Sequence, residues 1–235
     1  MNIIVTGASK GIGFQVVQSL VKAGASKIIG ISRNYKQLCQ LKEICSQISK
    51  VEFIPISYDL QQITFAEPQL AGLIKQHVNH IDILINNAGT LINKAFDTMS
   101  ADEVTRLFSV NYTAPALLIK NLLPLLKAGK AHIVNITSMG GVQGSVKFNG
   151  LAHYSASKAA LAVLTECLAE EFKNDELVFN ALALGSVQTE MLAEAFPNYK
   201  APVTPEQMGA FIANFAVNGK SFFNGKIIPV SITTP

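Results

Sequence analysis

The first thirteen residues restrict the fold of this chain more than any other stretch. Met1-Asn2-Ile3-Ile4-Val5-Thr6 is a short apolar run of strand character, and Gly7-Ala8-Ser9-Lys10-Gly11-Ile12-Gly13 follows it. Beyond the last glycine, Phe14, Val16, Val17, Leu20 and Val21 recur at helical spacing. A strand that turns through three glycines into a helix is suited to receive a phosphate. The glycines reach backbone angles closed to other residues, let the chain approach an anion, and let the helix pack tightly on the strand. The helix start adds free N–H groups and a partial positive charge. Gly7 to Gly11 also fits G-x-S-x-G, the nucleophile elbow of serine hydrolases. That elbow follows several earlier strands and needs a late histidine, whereas this one follows the first strand and no histidine comes after His153. The phosphate reading is the one kept.

Composition narrows the class. With 235 residues, 49% of them apolar and 15% charged, the chain is expected to form one domain over residues 1–235 around a well-buried sheet. A net charge of +3 gives no reason to expect nucleic acid or an anionic membrane as partner. The most apolar stretch, Pro115 to Leu126, is interrupted by Lys120 and Asn121 and is too short to span a bilayer. The first strand begins at residue 2, leaving no room for a targeting peptide. Cys39, Cys45 and Cys167 have neither C-x-x-C nor zinc spacing, which suits a reducing, cytoplasmic setting. His77 and His80 stand three apart on an expected helix and are read as solvent-facing rather than as metal ligands.

Apolar strand-like runs alternate with helix-period segments along the whole chain. Strands are expected at Ile28 to Ile31, Val51 to Ile56, Ile81 to Ile85, Ala131 to Ile136, Leu177 to Leu184 and Lys226 to Val230. Helices are expected at Tyr35 to Ile48, Phe65 to Val78 with Pro68 in its opening turn, Ser100 to about Lys127, Ala152 to Phe172 and Gln207 to Val217. Glu103, three positions after Ser100, predicts a capping box. Strands this uniformly apolar are covered on both faces. The fold class is therefore α/β: a doubly wound parallel sheet of about seven strands, a Rossmann fold, with helices on both sides. Such sheets bind ligands beyond the carboxyl ends of their strands.

The residues at those ends are informative. Arg33 stands twenty positions after Gly13, where an NAD site would carry a carboxylate for the ribose 2′-hydroxyl. A guanidinium pairs instead with a 2′-phosphate, and Lys10 adds a second cation nearby, so NADP is predicted over NAD. Asp59-Leu60 follows the third strand, where a carboxylate can accept from an adenine amino group. Asn86-Asn87-Ala88-Gly89 ends the fourth, with small residues against which a cofactor can lie. Tyr154 and Lys158 are four apart on one helix face. A nearby ammonium would favour the phenolate, and lowering a tyrosine pKa by about 3 units takes roughly 4 kcal/mol. Ser138, at the end of the fifth strand, can donate to a substrate carbonyl.

Taken together these motifs resemble the short-chain dehydrogenase/reductase family, in its compact single-domain branch, from Ile3 to about Val230. Thr6 to Gly13 is similar to the family's cofactor turn, Asn86 to Gly89 to its NNAG motif, and Asn111, Ser138, Tyr154 and Lys158 to its catalytic tetrad. The resemblance implies hydride transfer between NADPH and a small carbonyl or alcohol substrate, with Tyr154 as acid/base and Ser138 orienting the oxygen. Lys158 holds the nicotinamide ribose, and Asn111 keeps a water for proton resupply. Gly185, Val187 and Thr189 fall at the nicotinamide end, and a homodimer or homotetramer is implied. A non-catalytic NADP sensor and a sugar-nucleotide epimerase use the same fold. The sensor loses support from the complete tetrad. The epimerase loses support from the lack of an extra C-terminal region. Leu184 replaces the family's usual proline, which predicts a looser turn there. The 140–150 stretch is longer than usual and predicts a reshaped substrate wall, and a short 191–204 region predicts a more open site.

Overall fold

The computed structural model describes residues 1–63 and 69–232. Seven parallel strands form one sheet: β1 (Asn2–Thr6), β2 (Lys27–Ser32), β3 (Glu52–Ser57), β4 (Ile83–Asn86), β5 (His132–Ser138), β6 (Val178–Leu184) and β7 (Lys226–Val230). Their spatial order is β3-β2-β1-β4-β5-β6-β7. The helices are α1 (Gly11–Lys22), α2 (Tyr35–Ile48), α3 (Gln69–Lys75), α4 (Ala101–Phe108), α5 (Ala114–Gly129), α6 (Ala152–Glu171), α7 (Glu190–Ala195) and α8 (Pro205–Asn218). The fold is the Rossmann-like α/β architecture expected from the alternating pattern. Pro68, expected in the opening turn of the third helix, lies outside the described residues.

Strand alternation builds a separate core on each face. Ile3 and Val5 join Val16, Val17, Leu20, Leu38, Ile212 and other side chains of α1, α2 and α8. Ile4 and Leu84 point to the opposite face, against Leu70, Ile74, Leu118, Leu122 and Leu177. Each such side chain, once fully buried, contributes roughly 1.5–3 kcal/mol of transfer free energy. Because both faces are covered, no strand shows polar alternation, and the apolar runs are explained. The order reverses at β1, which pairs with β2 on one side and β4 on the other. That reversal opens a crevice at the carboxyl ends, where the glycine turn lies.

Three elements differ from expectation. The helix from Ser100 is two helices: the Ser100–Glu103 capping box is present, but Ser109–Thr113 is a π-turn between α4 and α5. There the Ala114 N–H reaches back five residues to the Ser109 carbonyl. Second, α7 is a short helix whose N-cap, Thr189, accepts from the Leu192 N–H. Third, α3 ends at Lys75, so His77 and His80 lie in the loop after it rather than on a helix.

Candidate active site

The carboxyl ends of β1, β2, β4, β5 and β6 open into one cleft of about 790 Å³. The glycine turn forms one wall, where Gly7, Ser9, Lys10, Gly11, Ile12 and Gly13 all line the cleft. Gly7 and Gly11 have φ of +68° and +56°, in the left-handed region that favours glycine. A Cβ on Gly13 would lie 2.3 Å from the Gly7 carbonyl oxygen, so the turn closes on itself only with hydrogen there. Side chains of Asn34, Ser100, Thr189 and Thr204 cap α2, α4, α7 and α8, whereas the starts of α5, α6 and, in the cleft wall, α1 carry no side-chain cap. The leading N–H groups of α1 are left for an anion in the cleft.

The end of β4 is clamped to that turn. Thr6 Oγ1 accepts from the N–H groups of Asn87 (3.1 Å) and Ala88 (3.0 Å), and Asn87 Nδ2 donates to the Thr6 carbonyl at 2.9 Å. Asn87, Ala88 and Gly89 line the cleft. Asn86, expected to contact cofactor, does not line the cleft: strand alternation turns it into the protein, where its Nδ2 donates to Asn135 Oδ1 at 2.8 Å. Asn135 donates on to Thr165 at 2.9 Å, and Asn86 Oδ1 is a buried oxygen without a partner. The clamp belongs to Asn87, whose place beside Thr6 only the parallel register of β1 and β4 makes visible.

Arg33, Asp59 and Leu60 line the far end of the cleft. Asp59 also caps the turn Leu60–Gln62, accepting from the Gln61 N–H at 3.0 Å. Ser32 Oγ donates to Ser9 Oγ at 2.6 Å, joining the loop after β2 to the glycine turn. Lys10 is not a lone cation: its Nζ lies 2.9 Å from Glu190 Oε2 on α7.

At the end of β5, the turn Met139–Gly141 presses on α6; a Cβ on Gly141 would sit 2.7 Å from the Ala159 nitrogen. That close approach brings Ser138 against Tyr154, and both line the cleft with Lys158. Burial pushes the Tyr154 phenol above its usual pKa, and a hydrogen bond from Ser138 works against that rise. Lys158, expected to favour the phenolate, is held by the backbone of β5. Its Nζ donates to the Ile136 carbonyl at 3.0 Å, and burial pulls its own pKa down to about 8. The two side chains share a helix face but end on different partners.

Asn111 is fully buried in the π-turn and does not line the cleft. Its Oδ1 accepts from the Thr90 N–H and its Nδ2 donates to the Thr90 carbonyl, both at 2.9 Å, with a further bond to Ser157 Oγ at 3.0 Å. A Cβ on Gly89 would be 3.2 Å from Lys158 Nζ and 3.4 Å from Asn111 Oδ1, so the two groups flank one glycine. Pro115 has no N–H, which leaves the Asn111 carbonyl without the donor four residues on.

The turn after β6 is anchored rather than loose: the Gly185 N–H donates to the Val230 carbonyl at 2.9 Å, and Ser231 packs directly on Gly185. Gly185, Val187 and Thr189 line the cleft. Val146 and Phe148 of the long 140–150 loop, with Leu151, Met191, Leu192 and Phe196, give its outer part an apolar wall.

A family model described as short chain dehydrogenase matches residues 1–200. The chain belongs to the short-chain dehydrogenase/reductase family. It is 34% identical to the ketoacyl reductase HetN of Nostoc over 199 residues, 82% of this chain and 66% of that protein. It is 30% identical to the 3-oxoacyl-[acyl-carrier-protein] reductase FabG of Aquifex aeolicus, over 97% of this chain and 94% of that one. Among solved structures, a short chain dehydrogenase from Salmonella enterica superposes with a TM-score of 0.88 at 27% identity, covering 97% and 94% of the two chains. The RhlG/NADP complex of Pseudomonas aeruginosa does so with 0.86 at 26%, covering 98% and 94%. This short-chain dehydrogenase/reductase is thus an oxidoreductase of a family that uses NAD(P)(H). The uncapped start of α1 and the side-chain-free cradle at Gly13 fit a dinucleotide pyrophosphate. Among the described residues, no helix is long and apolar enough to cross a membrane.

Proposed function

We propose that this chain is one NADP-binding domain that reduces a carbonyl, or oxidises the matching alcohol, with Tyr154 as the proton-transferring residue. The observation that carries the reading is the convergence of Ser138, Tyr154 and Lys158 on the cleft that the glycine turn walls. Bound NADPH supplies the hydride. The remaining work falls to the protein. Ser138 holds the substrate oxygen against the Tyr154 hydroxyl, which gives up its proton as the oxygen becomes negative. The Lys158 ammonium offsets the phenolate so formed, and the Asn111 carbonyl, which Pro115 denies its ordinary α-helical donor, holds a water that returns a proton. Arg33 and Lys10 select the 2′-phosphate, Asp59 and Leu60 border the adenine, and Gly185, Val187 and Thr189 border the nicotinamide.

The apolar wall of Val146, Phe148, Leu151, Met191, Leu192 and Phe196 favours an apolar ketone over a polyol. The protein is assigned to the cytoplasm, as a homodimer or homotetramer. The test is NADPH oxidation with a panel of apolar ketones, 3-oxoacyl thioesters and sugars, run on wild type and Tyr154→Phe. Wild type should prefer the apolar compounds. The variant should bind NADPH normally and turn over about 10²–10⁴-fold more slowly, the usual contribution of a positioned acid. Undiminished turnover in Tyr154→Phe rejects the assignment.

A further inference from the structure

The ion pair between Lys10 and Glu190 joins two segments 180 positions apart in sequence, the glycine turn and the first turn of α7. The two meet again beside it, since a Cβ on Gly11 would lie 3.6 Å from the Thr189 methyl. The recess that Arg33 and Lys10 border is also bordered by Glu190 and Glu194. Two cations there face two carboxylates. A ribose 2′-hydroxyl would leave this balance undisturbed. A 2′-phosphate, with a charge near −2 by analogy with other phosphomonoesters, competes with Glu190 for Lys10. Both partners of the pair are half-exposed, with side-chain exposures of 51% and 61%, so an entering phosphate can reach and exchange it.

We propose that Glu190 is a cofactor-specificity residue: it occupies Lys10 in the free protein and weakens NADP binding without affecting NAD. The inference rests on the NADP reading above. Lys10 exchanges Glu190 for the phosphate as NADP enters, and the displaced carboxylate is left facing a dianion. NADP affinity is therefore lower than Arg33 and Lys10 alone would give, and the deficit grows as salt is removed.

Calorimetric titration of the purified protein with NADP and, separately, NAD tests this. Glu190→Gln should lower the Kd for NADP about 3- to 10-fold and leave the Kd for NAD within about 2-fold, by ordinary magnitudes for a partly exposed charge. In a Lys10→Met background the same substitution should lose most of its effect, which a double-mutant cycle reads directly. Tightening that persists in Lys10→Met would reduce the effect to bulk charge and overturn the exchange. Equal tightening of NADP and NAD would make Glu190 a steric latch and overturn the specificity role. The underlying reading has its own control. If Arg33→Ala weakens NADP while Glu190→Gln changes nothing, the inference fails alone; if wild type binds NAD more tightly than NADP, the NADP reading fails with it. Glu190 lies on the protein surface in a turn capped independently by Thr189, and a thermal melt confirms that the variant is folded.

Discussion

Asn111 donates its side-chain amide to the Ser157 hydroxyl at 3.0 Å, and that hydroxyl donates on to the Tyr154 carbonyl at 2.7 Å. The π-turn is thereby fastened to α6 between the two residues, Tyr154 and Lys158, on which the proposed chemistry depends. Ser157 is itself fully buried, so nothing but protein can replace its hydroxyl.

Ser157→Ala should strand one buried donor of Asn111. Leaving such a group unpaired costs about 1–3 kcal/mol. For a chain of this size, each kcal/mol lowers Tm by roughly 2–4 °C. Turnover should fall while the Kd for NADPH stays put, because the substitution loosens the π-turn and leaves the glycine turn alone. Thermal melts and steady-state kinetics on one preparation separate the two effects.

Lys158 makes stability depend on alkaline pH. Burial holds its pKa at about 8, below the ordinary 10.5. Between those values the unfolded chain binds the extra proton, so stability rises with pH across that window. The penalty for burying the charge is present in full below pH 8 and is gone above 10.5. A difference of this size corresponds to about 3 kcal/mol. Lys158→Met, measured by denaturant unfolding without added cofactor, should exceed wild type in stability below pH 8 by up to that amount. The gap should close as pH approaches 10.5.

His132 acts at the acid end. Its Nδ1 meets the Ala216 carbonyl at 2.8 Å and its Nε2 meets Asn180 Nδ2 at 3.0 Å, which fits a neutral ring donating from Nδ1. Burial lowers its pKa to about 4 from 6.5. The unfolded chain therefore protonates first, and stability present above pH 6.5 is lost as pH falls toward 4. Wild type should lose about 3 kcal/mol more than His132→Gln across that interval, by the same conversion. Parallel unfolding curves for the two proteins would contradict it.

The glycines of the first turn should differ in their tolerance. Gly13→Ala drives a methyl to 2.3 Å from the Gly7 oxygen and 2.5 Å from Asn87 Nδ2, which breaks the clamp between β1 and β4. Gly11→Ala meets only ordinary contacts near Thr189 but must hold φ at +56°. That strain is worth about 1–2 kcal/mol. NADPH binding should be abolished in Gly13→Ala and weakened in Gly11→Ala, as a titration of each would register.

Much of this was legible in the sequence. The bounds of α2 and β7 coincide with the expected Tyr35 to Ile48 and Lys226 to Val230, because apolar period and polar flanks agree there. The Ser100–Glu103 capping box is a local signal and was readable. The π-turn was not, since apolar spacing cannot separate bonds to the fourth residue from bonds to the fifth; Pro115 was its trace. Helix α7 is only six residues long and offers too little periodicity, although Thr189 is an ordinary cap. At the site, Gly7, Ser9, Lys10, Gly11, Ile12 and Gly13 of the backbone turn line the cleft. Asn86 and Asn111 did not face the cleft, because their orientation depends on strand alternation and on a widened helical turn. The Glu190 partner of Lys10 and the Ile136 partner of Lys158 are tertiary facts.

Helix α7 carries Glu190 and Glu194 on the edge toward Arg33, and Met191 and Leu192 stand among the apolar residues of the cleft. A single inserted residue would rotate everything beyond it by roughly 100°. If Glu190 sets dinucleotide choice and the apolar wall sets ketone choice, as proposed, the two are inherited as one trait, and grafting this short segment between relatives would transplant both preferences together.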